Sequence, residues 1–195
     1  MSELALFPLK TVLLPGNRLP LKIFEPRYSD MIAHCMREHE NFGIVLIHKG
    51  EETDLDVEIF SIGTSAKVID WQNRSDGLLG ITALGLQRFQ VDSVRHSGDG
   101  LLLAEVEYLH EQTDARVPDQ YYYMSELLQH IMPNKDTDIL SLGFTETVYQ
   151  LIYVLPLDNA LKQQLLEVPS TQDRAIALHA ELIRLGVIQY VKPGL

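Results

Sequence analysis

The chain has 195 residues, 46% of them hydrophobic, and its 16 lysine and arginine side chains against 27 aspartate and glutamate give a formal net charge of −11. That length is enough to bury a substantial core in one large or two small domains, while the acidic balance repels nucleic-acid phosphates and anionic membrane surfaces. The single cysteine, Cys35, forms no internal disulfide, the N-terminus lacks a signal-peptide pattern and no apolar run approaches the roughly twenty residues of a membrane span, so a soluble, cytoplasmic protein is expected.

The first element is the run from Leu6 to Met36. Leu14-Pro15-Gly16-Asn17 places proline where φ is fixed near −65° and glycine where a type II turn needs positive φ, so the chain reverses there. Leu19, Leu21 and Ile23 then alternate with Arg18, Pro20 and Lys22, the period of a strand with one buried face. Pro20 has no N–H and marks an edge strand or a bulge. Glu25-Pro26 opens a helix whose apolar residues, Tyr28, Met31, Ile32, Cys35 and Met36, recur at helical spacing. Such punctuation specifies a fold and carries no chemistry of its own.

Glu38 to Asn41 is a polar exit from that helix, and Phe42 to Ile47 reads as a buried strand. The acidic run Glu51-Glu52-Thr53-Asp54 lacks the spaced oxygen ligands of a calcium loop and reads as a solvated surface loop. Strands are predicted over Val57–Ile62, Gly63–Trp71, Leu78–Leu84, Leu86–Val94 and Leu101–Tyr108, with turns at Asn73–Gly77 and Ser97–Gly100 and an interruption at Gly85. Short strands at this spacing, with one early helix, form a small curled sheet or barrel. A polar connector, Glu111 to Asp114, divides a β-rich region (1–112) from a helical one (113–195). In the second region Met124, Leu127, Leu128 and Ile131 form an apolar stripe stopped by Pro133, and Val148, Leu151, Ile152 and Leu155 form another stopped by Pro156. Asp158 caps a third helix. Ser170 with Asp173 starts a fourth, which ends at Gly186, completing a small helical bundle.

The segments Phe7-Pro8-Leu9, Leu14-Pro15-Gly16, Leu19-Pro20-Leu21 and Ile23-Phe24-Glu25-Pro26-Arg27-Tyr28 together resemble the start of the N-terminal, substrate-binding domain of Lon-type ATP-dependent proteases. Gly63 to Val68, Gly85-Leu86-Gln87-Arg88-Phe89 and Leu155-Pro156-Leu157 look similar too, in the same order along the chain. The element Phe24 to Tyr28 is most similar to short, free-standing members of that family. This resemblance implies an α+β fold: an N-terminal PUA-like β pseudobarrel with one early helix, followed by a C-terminal helical bundle. It also implies a non-catalytic module that binds unfolded polypeptide or a protein partner, acting in proteostasis.

Reaction chemistry finds little support in the residues. No G-x-x-x-x-G-K-[ST] loop is present to cradle phosphates, and the glycine- and proline-rich surroundings of the family's catalytic serine are missing. The seven histidines, at 34, 39, 48, 96, 110, 130 and 179, include no H-E-x-x-H pair, and one cysteine cannot build a thiolate zinc site, so neither metal nor cofactor is expected. Cys35 lies on an apolar stripe as a structural thiol, and His179 reads as a core-edge residue. Two other functions stay open as alternatives: a peptidase-related enzyme, and an RNA-binding PUA-like protein using a local basic face of Lys10, Arg18, Lys22 and Arg27. For a polypeptide, the recognition surface needs aromatic anchors with polar companions. Phe24, Tyr28 and Trp71 are the candidate anchors and Glu25 and Arg27 the companions, although Arg27 serves equally well as a structural ion-pair partner.

Overall fold

The early Pro-Gly turn determines how the first strands are placed. In a computed structural model, which describes residues 2–54, 56–111, 116–133 and 138–188, the Asn17 N–H donates to the Leu14 carbonyl at 3.1 Å and Gly16 has φ 75°, the geometry a type II turn demands. The turn docks on Gly85: Gly16 N–H donates to the Gly85 carbonyl and Gly85 N–H to the Asn17 carbonyl, both at 2.9 Å. A Cβ on residue 85 would lie 2.4 Å from the Leu14 carbonyl oxygen. Only glycine allows that approach.

The chain divides into two compact units, Met1–His110 and Glu111–Leu195. The expected boundary after Gln112, and the connector residues 112–114, lie outside the described residues. The first unit is a largely antiparallel sheet of seven strands: β1 (Ser2–Leu9), β2 (Arg18–Ile23), β3 (Phe42–Lys49), β4 (Glu58–Ile59), β5 (Ile62–Asn73), β6 (Leu79–His96) and β7 (Leu102–Tyr108). β1 pairs antiparallel with β7 and parallel with β3, and β3–β5, β5–β6 and β6–β7 pairings complete a closed ring. β2 stands outside that ring, paired only with β6 among the described residues. The predicted interruption at Gly85 is instead absorbed inside one long β6. Thr64 pairs with Arg88 and Ala66 with Gly85, so an extra β6 residue is accommodated as a bulge and the strand bends without ending.

Helix α1 (Pro26–Glu38) starts with proline in its first turn and closes at His39, which adopts φ 59°. Its apolar face, Tyr28, Met31, Ile32 and Cys35, packs in one core cluster with Phe7, Ile23 and Ile81. A second cluster joins Leu4, Leu6, Val45, Phe89 and Val106. Since Leu6 and Phe7 belong to different clusters, β1 is buried on both faces. Burial pushes the Cys35 thiol up to about 11, which keeps it protonated near neutral pH.

The second unit is helical: α2 (Tyr122–Ile131), α3 (Phe144–Val154), α4 (Asn159–Glu167) and α5 (Thr171–Arg184). The predicted caps are in place. Asp158 Oδ1 accepts the Leu161 N–H at 2.8 Å, and Ser170 Oγ accepts the Asp173 N–H at 3.1 Å while donating to the Asp173 carboxylate at 2.6 Å. Gly186, with φ 70°, donates its N–H to the Ile183 carbonyl at 2.9 Å and ends α5. One feature of this unit had no sequence signal. Arg174 is fully buried, donates from Nε to the Leu165 carbonyl and from Nη2 to the Val168 carbonyl, and stacks over Tyr149 at 4.4 Å. A charged side chain thus satisfies the carbonyls that the end of α4 leaves open. His179, expected at a core edge, shares a hydrogen bond of 2.6 Å between its Nδ1 and Tyr123 Oη, and burial pushes the Tyr123 phenol up to about 12.

Among the described residues no helix is long and apolar enough to cross a membrane, and no group of three or more His, Cys, Asp or Glu side chains could hold a metal.

Candidate polypeptide-binding site

The five candidate residues separate by burial. Phe24 and Trp71 are exposed at 53% and 54% of their surface, whereas Arg27 and Tyr28 are buried. Tyr28 stacks on Phe7 with ring centroids 4.1 Å apart, and burial raises its phenol to about 12 against the opposing pull of the Arg27 charge. Arg27 Nε donates to Glu25 Oε2 at 3.0 Å and Nη1 to the Gly100 carbonyl at 3.0 Å, and the guanidinium lies 4.7 Å from the Tyr28 ring centre. Arg27 therefore fastens the start of α1 to the β6–β7 turn and fixes the Glu25 carboxylate. Its contribution to any surface is indirect.

Phe24, Glu25 and Tyr28 line one cavity of about 190 Å³, together with Leu9, Leu21 and Glu52. Trp71 lines a different cavity, with Asp70, Gln72 and Arg74. The two aromatics are therefore not gathered into one pocket. What the cavities share is β2: Pro20, Leu21 and Lys22 border both. Trp71 is tied to that strand by register, since Trp71 pairs with Ile81 on β6 and Ile81 with Leu21 on β2. It follows a bulge between Val68 and Asp70, near the far end of β5, which explains why a side chain on the rung of buried Ile81 is open to solvent.

The main chain of β2 determines what its outer edge presents. Antiparallel neighbours alternate between rungs that exchange hydrogen bonds and rungs whose main-chain groups point away. The bond from Gly85 N–H to the Asn17 carbonyl marks the Asn17–Gly85 rung as bonded, and the register runs without a slip from Arg18–Leu84 to Ile23–Leu79. Leu19, Leu21 and Ile23 therefore turn their main-chain groups to β6, while Pro20 and Lys22 turn theirs outward. The edge position expected from Pro20 follows directly, because its missing N–H falls where no ladder bond is needed. The Lys22 ammonium pairs with Asp76 at 2.9 Å, and Arg74 Nε reaches the same carboxylate at 3.3 Å. The hydrogen bond from Lys22 holds the Asp76 carboxyl down at about 2. This pairing anchors β2 to the β5–β6 turn.

Leu9, Thr11 and Glu52 border the cavity beside Phe24 although they lie far from it in sequence. Nothing in their local pattern marks them, since the β1–β3 pairing brings them there. Leu21 is legible as a strand residue of the Leu19-Pro20-Leu21 segment, and Lys22 as a strand residue and a member of the alternative basic face; neither is marked as lining a cavity.

The family model of the ATP-dependent protease La (LON) substrate-binding domain matches residues 3–184. The chain belongs to that family. The Lon N-terminal domain protein from Xanthomonas campestris superposes with a TM-score of 0.80 at 28% identity, covering 92% of this chain and 98% of that one. Lon protease 1 of Bdellovibrio bacteriovorus is 25% identical over 185 residues, 88% of this chain and 23% of that protein. Protein cereblon of Gallus gallus is 25% identical over 126 residues, 63% of this chain and 27% of that protein. The chain thus spans about a quarter of the length of these curated relatives.

Proposed function

We propose that this member of the LON substrate-binding domain family is a non-catalytic module that binds unfolded polypeptide or a protein partner, acting in cytoplasmic proteostasis. In this reading the ring of the first unit is a PUA-like pseudobarrel, and the helices of the second unit form a bundle. One observation carries the binding site: two exposed aromatic side chains, Phe24 at the end of β2 and Trp71 across β6 from it, each line a cavity that β2 borders. Large apolar rings stay in water at a cost, and on a binding module they serve as anchors. The fixed Glu25 carboxylate and the Asp70 carboxylate supply polar groups at the rims of the two cavities, and Tyr28 is the apolar floor beneath Phe24.

Trp71 is the only tryptophan of the chain, so its fluorescence is a built-in reporter. Titration with an unfolded polypeptide that itself lacks tryptophan is expected to shift its emission to the blue. The double variant Phe24→Ala with Trp71→Ala is expected to keep the wild-type unfolding temperature within a few degrees and to bind labelled casein at least tenfold more weakly. A folded double variant that binds as tightly as wild type removes this surface from consideration.

A further inference from the structure

We propose that β2 accepts an extended polypeptide as an added antiparallel strand, recognised through its main chain at Pro20 and Lys22. This inference rests on the polypeptide-binding reading and gives it a mode. Three observations converge on it. The outer edge of β2 has no strand partner among the described residues, and the register directs the carbonyls of Pro20 and Lys22 and the N–H of Lys22 toward it. The groups awaiting a partner are thus peptide groups, and the chemistry complementary to them is another peptide main chain. Beside that edge lies the cavity bordered by Leu9, Leu21, Phe24 and Tyr28, positioned for side chains on one face of an incoming strand.

The pairing rule fixes the register. A guest residue opposite Lys22 exchanges two hydrogen bonds, and the residue opposite Pro20 donates one while its own carbonyl finds no donor. The guest residue between them, opposite Leu21, projects its side chain to the Leu21 side, over the cavity. The favoured ligand is therefore an extended segment with an apolar residue at every second position and few other sequence demands. A second copy of this chain is a poor occupant, because self-pairing through β2 would bring two proline gaps and two Lys22 residues together at the edge.

The test uses a fluorescein-labelled peptide alternating valine with threonine around a central phenylalanine, and a series of it N-methylated at single positions. N-methylation removes one donor from the peptide and leaves the protein untouched. Binding is expected to fall about tenfold at the positions whose N–H faces β2 and to be retained at the neighbours between them. The variant Lys22→Pro deletes the edge N–H and the ion pair to Asp76 but no bond of the β2–β6 ladder; it is expected to bind the unmodified peptide about tenfold more weakly than Lys22→Ala, which loses the same ion pair and keeps the N–H. Binding that is indifferent to N-methylation at every position overturns strand addition and leaves polypeptide binding standing. So does casein binding without peptide binding. Failure to bind either ligand overturns both readings. A wild-type dimer that Lys22→Pro converts to a monomer assigns the edge to a second copy and also overturns the proposal.

Discussion

β1 and β2 are joined by a short connector that ends in one tight turn, yet they meet opposite fates. β1 is paired on both edges, to β7 and β3, and contributes to core clusters on both of its faces. β2 is paired on one edge and leaves Arg18, Pro20 and Lys22 exposed along it. The sequences differ accordingly. Both strands carry a proline, but β1 ends in a continuous apolar run, Ala5 to Leu9, whereas β2 alternates apolar residues with exposed ones. The difference teaches that closing the ring and keeping one edge open are both written into the same thirty residues. The open edge is a feature of the fold rather than a gap in it.

The comparison breaks most severely where β1 closes the ring. Leu6→Ala removes a fully buried side chain and is expected to lower stability by about 3 kcal/mol in urea unfolding. A loss under about 1 kcal/mol would mean that this rung is not part of the closure. Next in size is the joint between the two strands. Gly85→Ala places a methyl against the Leu14 carbonyl, 2.4 Å away, and is expected to cost about 2 kcal/mol, because a backbone oxygen cannot step aside as a side chain does. Leu21→Ala sharpens the contrast from the other strand. Its side chain is only partly buried, so the expected loss is about 1 kcal/mol in the same assay.

Much of this architecture was readable beforehand, and the reasons are local. Proline at 15 followed by glycine at 16 dictated the turn; Pro20 indicated the edge; Asp158 and Ser170 announced their helices through the hydrogen bonds their side chains accept. The PUA-like description rests on resemblance, and the bundle on the apolar stripes and caps of the second region. What escaped the sequence was set by contacts between distant segments. Gly85 looked like a break because its role, receiving the turn at 14–17, depends on a residue seventy positions earlier. Arg174 looked like an ordinary helix arginine, since the carbonyls it satisfies belong to the preceding helix. The candidate site was half legible. Phe24 and Trp71 stood out as apolar rings beside polar turns, and both are exposed. Tyr28 stands among the candidate anchors although helical spacing already sets it on the apolar face of α1, and that face takes it into the core; Arg27, read as a polar companion or a structural ion-pair partner, pairs with the Glu25 carboxylate.

The central claim is that β1 is a closed element and β2 an open one awaiting a main chain. Amide hydrogen exchange with and without the alternating valine–threonine peptide measures it most directly. Among residues of β1 and β2, binding is expected to slow exchange at Lys22, whose N–H faces the free edge, while the amides of Leu4 to Phe7 and of Leu9 exchange slowly and unchanged in both samples. Bound peptide with no new protection at Lys22, or with protection gained in β1 instead, would contradict the account.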